Sequence, residues 1–349
     1  MKKQVLVLNG QLTDDGFMTI RSTDRSADAA GPVEARRLSL PLVAASVTVV
    51  LWASAFVGIR AAGRDYSPGA LALGRMLVGS LALTVIVGVQ AVRRGRWPRL
   101  PRGRALVGVL VWGVAWFGLY NLALNTAERH LDAGTTALLV NLGPVLIAVL
   151  AGLLLGEGFP ARLMIGLAVA FGGVVLIGVT THTGQGDLVG VLMALAAAGL
   201  YAGSAVGQKR LLAELDALTL TWLGAVTGAV VCLPFGRDLV QQVATAPLSS
   251  TLAVLYLGVF PTAIAFLAWG YALSRTTAGR LAASTYAVPA LVVLMSWLLL
   301  AEAPAALAIL GGVLCLTGVA VATLRLRGST GQSRFKWATR LTPGPRPRS

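Results

Sequence analysis

Charge is what this sequence has least of. Only 12% of its 349 residues are Asp, Glu, Lys or Arg, against about 25% in soluble globular domains. Acid is scarcer than base, with 14 Asp and Glu against 29 Lys and Arg, a formal net charge of +15. There are two cysteines, Cys232 and Cys315, two histidines, His130 and His182, and lysines only at positions 2, 3, 209 and 336. No CxxC or clustered His spacing exists, so no metal site is expected, and both cysteines fall in apolar runs as small buried hydrophobes. The lysine positions exclude a P-loop; GxSxG, HExxH and paired mid-membrane carboxylates are also missing. Neither an enzyme activity nor a cofactor is expected. The first 38 residues contain no apolar segment of the signal-peptide kind. Residues 1–39 are expected to form a disordered cytoplasmic tail, with Met18 as an alternative start.

What the chain has is apolar surface. Hydrophobic residues make up 56% and the mean hydropathy is +0.76. A soluble fold of this length has no means of hiding that much; a bilayer does. A span needs about 20 apolar residues, because a helix rises about 1.5 Å per residue across about 30 Å of hydrocarbon. Ten such runs are legible, near 40–60, 68–92, 105–125, 133–155, 161–180, 187–207, 217–236, 250–273, 280–300 and 304–325. Short connections make neighbours antiparallel. An all-α integral membrane protein follows.

The basic residues give the orientation. Of the 29 Lys and Arg, 24 lie in the two tails and the even-numbered loops, four in the odd-numbered loops (Arg60, Arg64, Arg129 and Arg237), and Arg75 lies inside the second run. By the positive-inside rule both termini are cytoplasmic, in the plasma membrane. That placement also argues against a nucleic-acid partner, which the sequence pI of about 11.1 alone would suggest. The basic tails, including residues 326–349, are expected to meet anionic lipid.

An internal repeat appears at an offset of 145 residues. Gly113 matches Gly258, Ala127 matches Ala272, Ala133-Gly134 matches Ala278-Gly279, Pro144 matches Pro289, Glu157 matches Glu302, Gly166 matches Gly311 and Gly173 matches Gly318. Near the starts, Trp52-Ala53-Ser54-Ala55 resembles Tyr201-Ala202-Gly203-Ser204 at a slightly longer offset. The units are residues 40–180 and 187–325, five runs each. Five is odd, so the second unit enters from the opposite side, an inverted repeat of the kind secondary transporters use for alternating access.

The Trp-Ala-Ser start, a second helix carrying Arg75 and a fourth helix with Pro-x12-Glu, in order and twice over, resemble the EamA-type drug/metabolite transporters across roughly residues 40–325. The resemblance implies a ten-helix permease exporting small metabolites such as amino acids or drug-like compounds. It also implies a central cavity lined by helices one to four and six to nine, with five and ten peripheral. One departure stands out: Arg75 has no counterpart in the second unit, where Gly224 falls near the matching place.

Individual residues keep two readings each. Arg75 is a counter-ion for an anionic substrate group or a gate; alternatively it snorkels outward or bonds a helix carbonyl. Glu157 and Glu302 are alternating gate contacts, or helix N-terminal carboxylates. Pro144 and Pro289 expose the carbonyls of Val140 and Thr285 to a cavity, or kink helices for packing; Pro261 poses the same question. Trp112, Trp116 and Tyr120 form one helical stripe and Asn121 and Asn125 the adjacent one. With Trp52, Ser54, Asn141, Tyr201, Ser284 and Tyr286 they line a polar–aromatic cavity, or they pack. Gly190, Ala194, Ala198 and Ala202 make a small-residue packing ridge. A transporter is the leading reading. A structural or sensory membrane subunit and a membrane-embedded enzyme are the alternatives, and oligomeric state is not legible.

Overall fold

The computed structural model describes residues 32–143, 146, 161–180, 185–276, 281, 284–302 and 305–323. Every regular element among them is helical: α1 (Pro32–Ala62), α2 (Pro68–Arg94), α3 (Arg104–His130), α4 (Ala133–Val140), α5 (Ala161–Thr180), α6 (Gln185–Leu211), α7 (Ala217–Thr245), α8 (Leu248–Arg275), α9 (Ala287–Leu300) and α10 (Ala306–Thr323). Six, namely α1, α2, α3, α6, α7 and α8, are long and apolar enough to cross a membrane, and shorter apolar stretches lie in α5, α9 and α10. The protein is a multi-pass helical membrane protein. α1 extends eight residues N-terminal of the apolar run expected at 40, so part of the expected tail is helical.

Helix ends are set locally. Asp132 caps α4 by accepting from the Thr135 N–H at 2.8 Å, and Asp216 caps α7 by accepting from the Thr219 N–H at 3.0 Å. Gly95 ends α2 at φ 65°, where a side chain would be strained. Ala301 does the same for α9 at φ 54°, and the Glu302 N–H reaches back to the Ser296 carbonyl at 3.2 Å. An alanine held in the left-handed region costs about 1 kcal/mol.

Three helices depart from regular geometry. α3 widens into a π-helical turn at Val114–Leu119 and α8 at Gly258–Ile264, the second enclosing Pro261. The two turns coincide within a residue on the 145 offset. α7 tightens at Leu233–Phe235, then runs on to Thr245. A break at Thr285–Tyr286 precedes α9, so Pro289 stands in the first turn of that helix. A proline is tolerated there because the first-turn N–H groups have no intrahelical acceptor. The Thr285 carbonyl accepts from the Val288 N–H at 3.0 Å, so it is not the free carbonyl the sequence suggested. Pro144 and Glu157 lie outside the described residues.

α5 and α10 pack face to face through small residues. A Cβ on Gly173 would overlap the Gly311 carbonyl and the Cys315 sulfur. A Cβ on Gly318 would overlap the Gly166 carbonyl and the Ala170 backbone. Each contact becomes the other when 145 is added to the first-unit residue and subtracted from its partner. The ridge Gly190, Ala194, Ala198 and Ala202 is buried on α6; a Cβ on Gly190 would meet His130 and Leu131. Both cysteines are buried and free, as the sequence suggested.

Gly173→Leu and Gly318→Leu should each lower stability by about 1–3 kcal/mol through overpacking. Gly88→Leu, where a Cβ would meet nothing within 4 Å, should change it by less than about 0.5 kcal/mol. Reversible denaturant unfolding of detergent-solubilised protein measures all three.

Candidate functional site

α1, α2, α3, α4, α6, α8 and the Thr285 break converge on a central cavity of about 50 Å³. Its wall has an aromatic part and a polar part. Trp52 on α1 organises the aromatic part: its ring centroid lies 4.9 Å from Trp269, 5.4 Å from Phe266, and 6.4 Å from both Trp116 and Tyr201. Trp116 meets Phe266 edge-on at 5.2 Å. Aromatic pairs at these separations add about 0.5–1.5 kcal/mol each beyond burial.

The polar part is Arg75, Tyr120, Asn141, Tyr201 and Thr285. Arg75 is 4% exposed and does not snorkel. Its Nε and Nη2 both donate to the Thr262 hydroxyl, at 3.3 and 3.1 Å, and Thr262 in turn donates to the Leu257 carbonyl at 2.8 Å. The π turn of α8 thus turns one hydroxyl toward the guanidinium. Among the described residues Arg75 Nη1 and Asn141 Oδ1 are buried with no hydrogen-bond partner. A free donor on a cation and a free amide oxygen beside one cavity are groups a ligand would satisfy.

In the matching place of the second unit the chemistry is reversed. Gly224 leaves room for the rings of Trp112 and Phe117. Phe117 corresponds to Thr262 on the 145 offset. Both pairs cross between the units: Arg75 of the first meets the Thr262 hydroxyl of the second, whereas Gly224 of the second meets the Phe117 ring of the first.

Of the residues singled out from sequence, Trp52, Arg75, Trp116, Tyr120, Asn141 and Tyr201 line this cavity, and Ser54, Asn121, Ser284 and Tyr286 do not. Ser54 shares a hydrogen bond with the Tyr256 hydroxyl at 2.6 Å, Asn121 Nδ2 donates to the Phe117 carbonyl at 2.9 Å, and Ser284 donates to the Leu281 carbonyl at 2.6 Å. Phe266 lines it without having been anticipated; Thr285, expected there only for its carbonyl, lines it too and corresponds to Val140, another wall residue.

A cluster of charge at one end of the bundle was also missed. Arg60 Nε donates to Glu302 Oε2 at 2.9 Å and Arg60 Nη1 to the Glu128 carbonyl at 2.9 Å; Arg64 stands 3.7 Å from Glu302. Glu302 thus bridges to α1, which goes beyond capping the following helix. Glu128 is 3% exposed, and neither carboxylate oxygen has a partner among the described residues. The sequence ended the third run near 125 and counted no buried carboxylate; the helix continues to His130 and encloses Glu128. Its signal was the stripe Trp112, Trp116, Tyr120, continued at the same spacing through Leu124 to Glu128.

A cleft of about 330 Å³ between the α2–α3 and α6–α7 connections sets Arg94, Arg96 and Arg99 against Glu214 and Asp216. Its charges are mixed, and it lies away from the central aromatic wall.

A helical membrane bundle around a central polar–aromatic cavity is the architecture of a small-molecule carrier. The chain belongs to the EamA-like transporter family, whose pattern matches residues 39–179 and again 188–324. It is 35% identical over 84% of its length, and 96% of the other chain, to a probable terminal-alkyne amino-acid exporter of Streptantibioticus cattleyicolor. It is 25% identical, over 82% and 95% respectively, to a probable amino-acid metabolite efflux pump of Escherichia coli. One crystal structure covers 82% of this chain and 97% of its own, with TM-score 0.56 and 22% identity, a likeness of fold.

Thr262→Val removes the acceptor of a buried guanidinium and should lower stability by about 1.5–3 kcal/mol; Thr262→Ser should restore it. The double variant Arg75→Met/Thr262→Val should cost less than the sum of the singles, because no buried charge is left behind. Denaturant unfolding measures the cycle.

Proposed function

We propose that the protein is a secondary transporter exporting small carboxylate-bearing metabolites of the amino-acid class, with Arg75 holding the carboxylate. The single observation that carries this is Arg75: a buried, bundle-facing guanidinium with an unpartnered donor beside a cavity. Guanidinium binds carboxylate through parallel N–H donors. Asn141 and Tyr120 complete the polar end, and the Trp52 cluster receives an apolar side chain. Relatives named as amino-acid exporter and efflux pump favour export over catalysis or a structural role.

The proposed mechanism is alternating access between two inverted five-helix halves, ten spans in all, with both termini cytoplasmic in the plasma membrane. The exchange-related contacts of Gly173 and Gly318, and the matching π turns of α3 and α8, support a pseudo-two-fold axis. The charge asymmetry of the loops supports the orientation. One water needs about 10–15 Å³ of cavity, so about 50 Å³ holds a few waters, and the cavity must widen to take a metabolite. The basic residues of the tails are proposed to meet anionic lipid.

Purified protein in liposomes loaded with unlabelled leucine should accumulate labelled leucine by counterflow. Arg75→Gln should cut the initial rate about tenfold or more, the loss of one charge-assisted contact of about 1.5–3 kcal/mol, whereas Ser54→Ala, outside the cavity, should change it less than twofold. Equal rates for wild type and Arg75→Gln would remove Arg75 from the site. Reporter fusions placing the α2–α3 and α7–α8 connections on the same side would remove the inverted arrangement.

A further inference from the structure

We propose that Glu128 is a proton-binding group that controls the outer gate, the ion pair of Arg60 with Glu302. The inference rests on the transport cycle proposed above, with the Arg60–Glu302 end facing outward. Its starting point is that the fold does not need this carboxylate. Lys209 is the counterpart of Arg60 at the same offset of 149 residues that relates Trp52 to Tyr201. Lys209 donates to the Leu273 carbonyl at 2.6 Å, as Arg60 donates to the Glu128 carbonyl at 2.9 Å. Leu273 is the counterpart of Glu128 on the 145 offset. In both units a cation from one helix ties down the end of another through a main-chain carbonyl, and a leucine serves as well as a glutamate. The carboxylate is an addition, buried and unpartnered, in one unit only. An ionisable group in such a place is functional by default.

The charged and titratable groups that act on Glu128 are Arg60 on α1, Arg75 on α2, Tyr120 on its own helix, Asp132 before α4 and Glu302 between α9 and α10. Arg60 among them also donates to the Glu128 main-chain carbonyl and is already committed to Glu302. A protonated Glu128 is neutral and leaves that ion pair alone. An ionised Glu128 competes for the same guanidinium and draws it from Glu302. That releases α1 and α3 from the α9–α10 connection, where Ala301 holds a strained backbone. The proton comes from outer water, rests on a Glu128 carboxyl oxygen, and leaves through the cavity when it opens to the cytoplasm; Leu124, one turn along the same stripe, already lines that cavity. Ionised favours outward-open, protonated favours outward-closed, and the product is exchange of an inward proton for an outward metabolite.

Spin labels on cysteines replacing His130 and Ala305, both exposed, report the separation without any substrate. The full chain, with Cys232 and Cys315 replaced by alanine, is measured in lipid nanodiscs at acid and alkaline pH. The expected result is a shift to longer distance at alkaline pH. That shift should vanish in Glu128→Gln and in Glu128→Leu, the residue the other unit carries, both of which should keep the short distance throughout. Titration of Glu302 alone would break the pair on acidification and lengthen the distance at acid pH, so the sign separates the two carboxylates. A distance that does not respond to pH in the wild type, one that lengthens at acid pH, or an alkaline shift that survives in both variants overturns the proposal. Absence of leucine counterflow by the wild type is a failure of the transport reading and is observed separately.

Discussion

A guanidinium removed from water governs the interior of this bundle. Moving a charge into a medium of low polarity costs several kcal/mol, and the cost is offset only by hydrogen bonds and opposite charge. Arg75 receives one hydroxyl, that of Thr262, and retains an unpartnered donor. Tyr120, Asn141 and the ring cluster on Trp52 share its cavity wall without neutralising it. The π turn of α8, matched in α3 where no arginine is held, supplies the partner of Arg75. Thr262 gives its own proton to the Leu257 carbonyl five residues back, so its oxygen is turned toward the arginine. Such turns persist where function or packing repays their poorer geometry.

The two units share a frame and differ in what fills it. Where the second unit has Gly224, the rings of Trp112 and Phe117 move in; where the first has Arg75, Thr262 stands in place of the ring. At the bundle ends Arg60 and Lys209 make the same main-chain tie, but the tied residue is Glu128 in one case and Leu273 in the other. A symmetric pair of halves would hold a ligand equally from both sides. Here the cavity wall carries one cation, Arg75, beside aromatic rings drawn from both units, which suits a ligand with one polar and one apolar end.

The helices and much of the cavity were legible in the sequence for one physical reason: in a long apolar run any polar or aromatic residue at a repeated position is conspicuous. Trp52, Arg75, Trp116, Tyr120, Asn141 and Tyr201 were visible in this way. Ser54, Asn121 and Ser284 were equally conspicuous, but their polar groups bond carbonyls or hydroxyls nearby, which period alone does not reveal. Thr285 was concealed by its neighbour Pro289, since the proline drew attention to a carbonyl that Val288 in fact occupies. Glu128 was concealed by its company. Thr126, Glu128, Arg129 and His130 fell beyond the run that ended near 125, yet Asn125 donates to the Pro68 carbonyl and Arg129 to the Gly63 carbonyl, and these bonds carry the helix one turn further.

The same bonds bear on how one end of the bundle can move. The α1–α2 turn is tied to α7 and α8 by Gln242 accepting from the Ser67 N–H at 2.9 Å and by the hydrogen bond of Tyr66 with Thr251 at 2.8 Å. Its ionic link to the α9–α10 connection is the Arg60 and Arg64 pairing with Glu302, whose side chains keep between a quarter and two thirds of their exposure. Pairs so exposed contribute about 0–1 kcal/mol. A bond of that size holds a surface closed but yields to any competitor in a drier place, and Glu128, with its carboxylate buried, is the residue whose main-chain carbonyl the same guanidinium already holds. Weakness in the ion pair and dryness at its rival are therefore complementary: a stronger pair would lock the end shut, and a hydrated rival would have no advantage over the water already there.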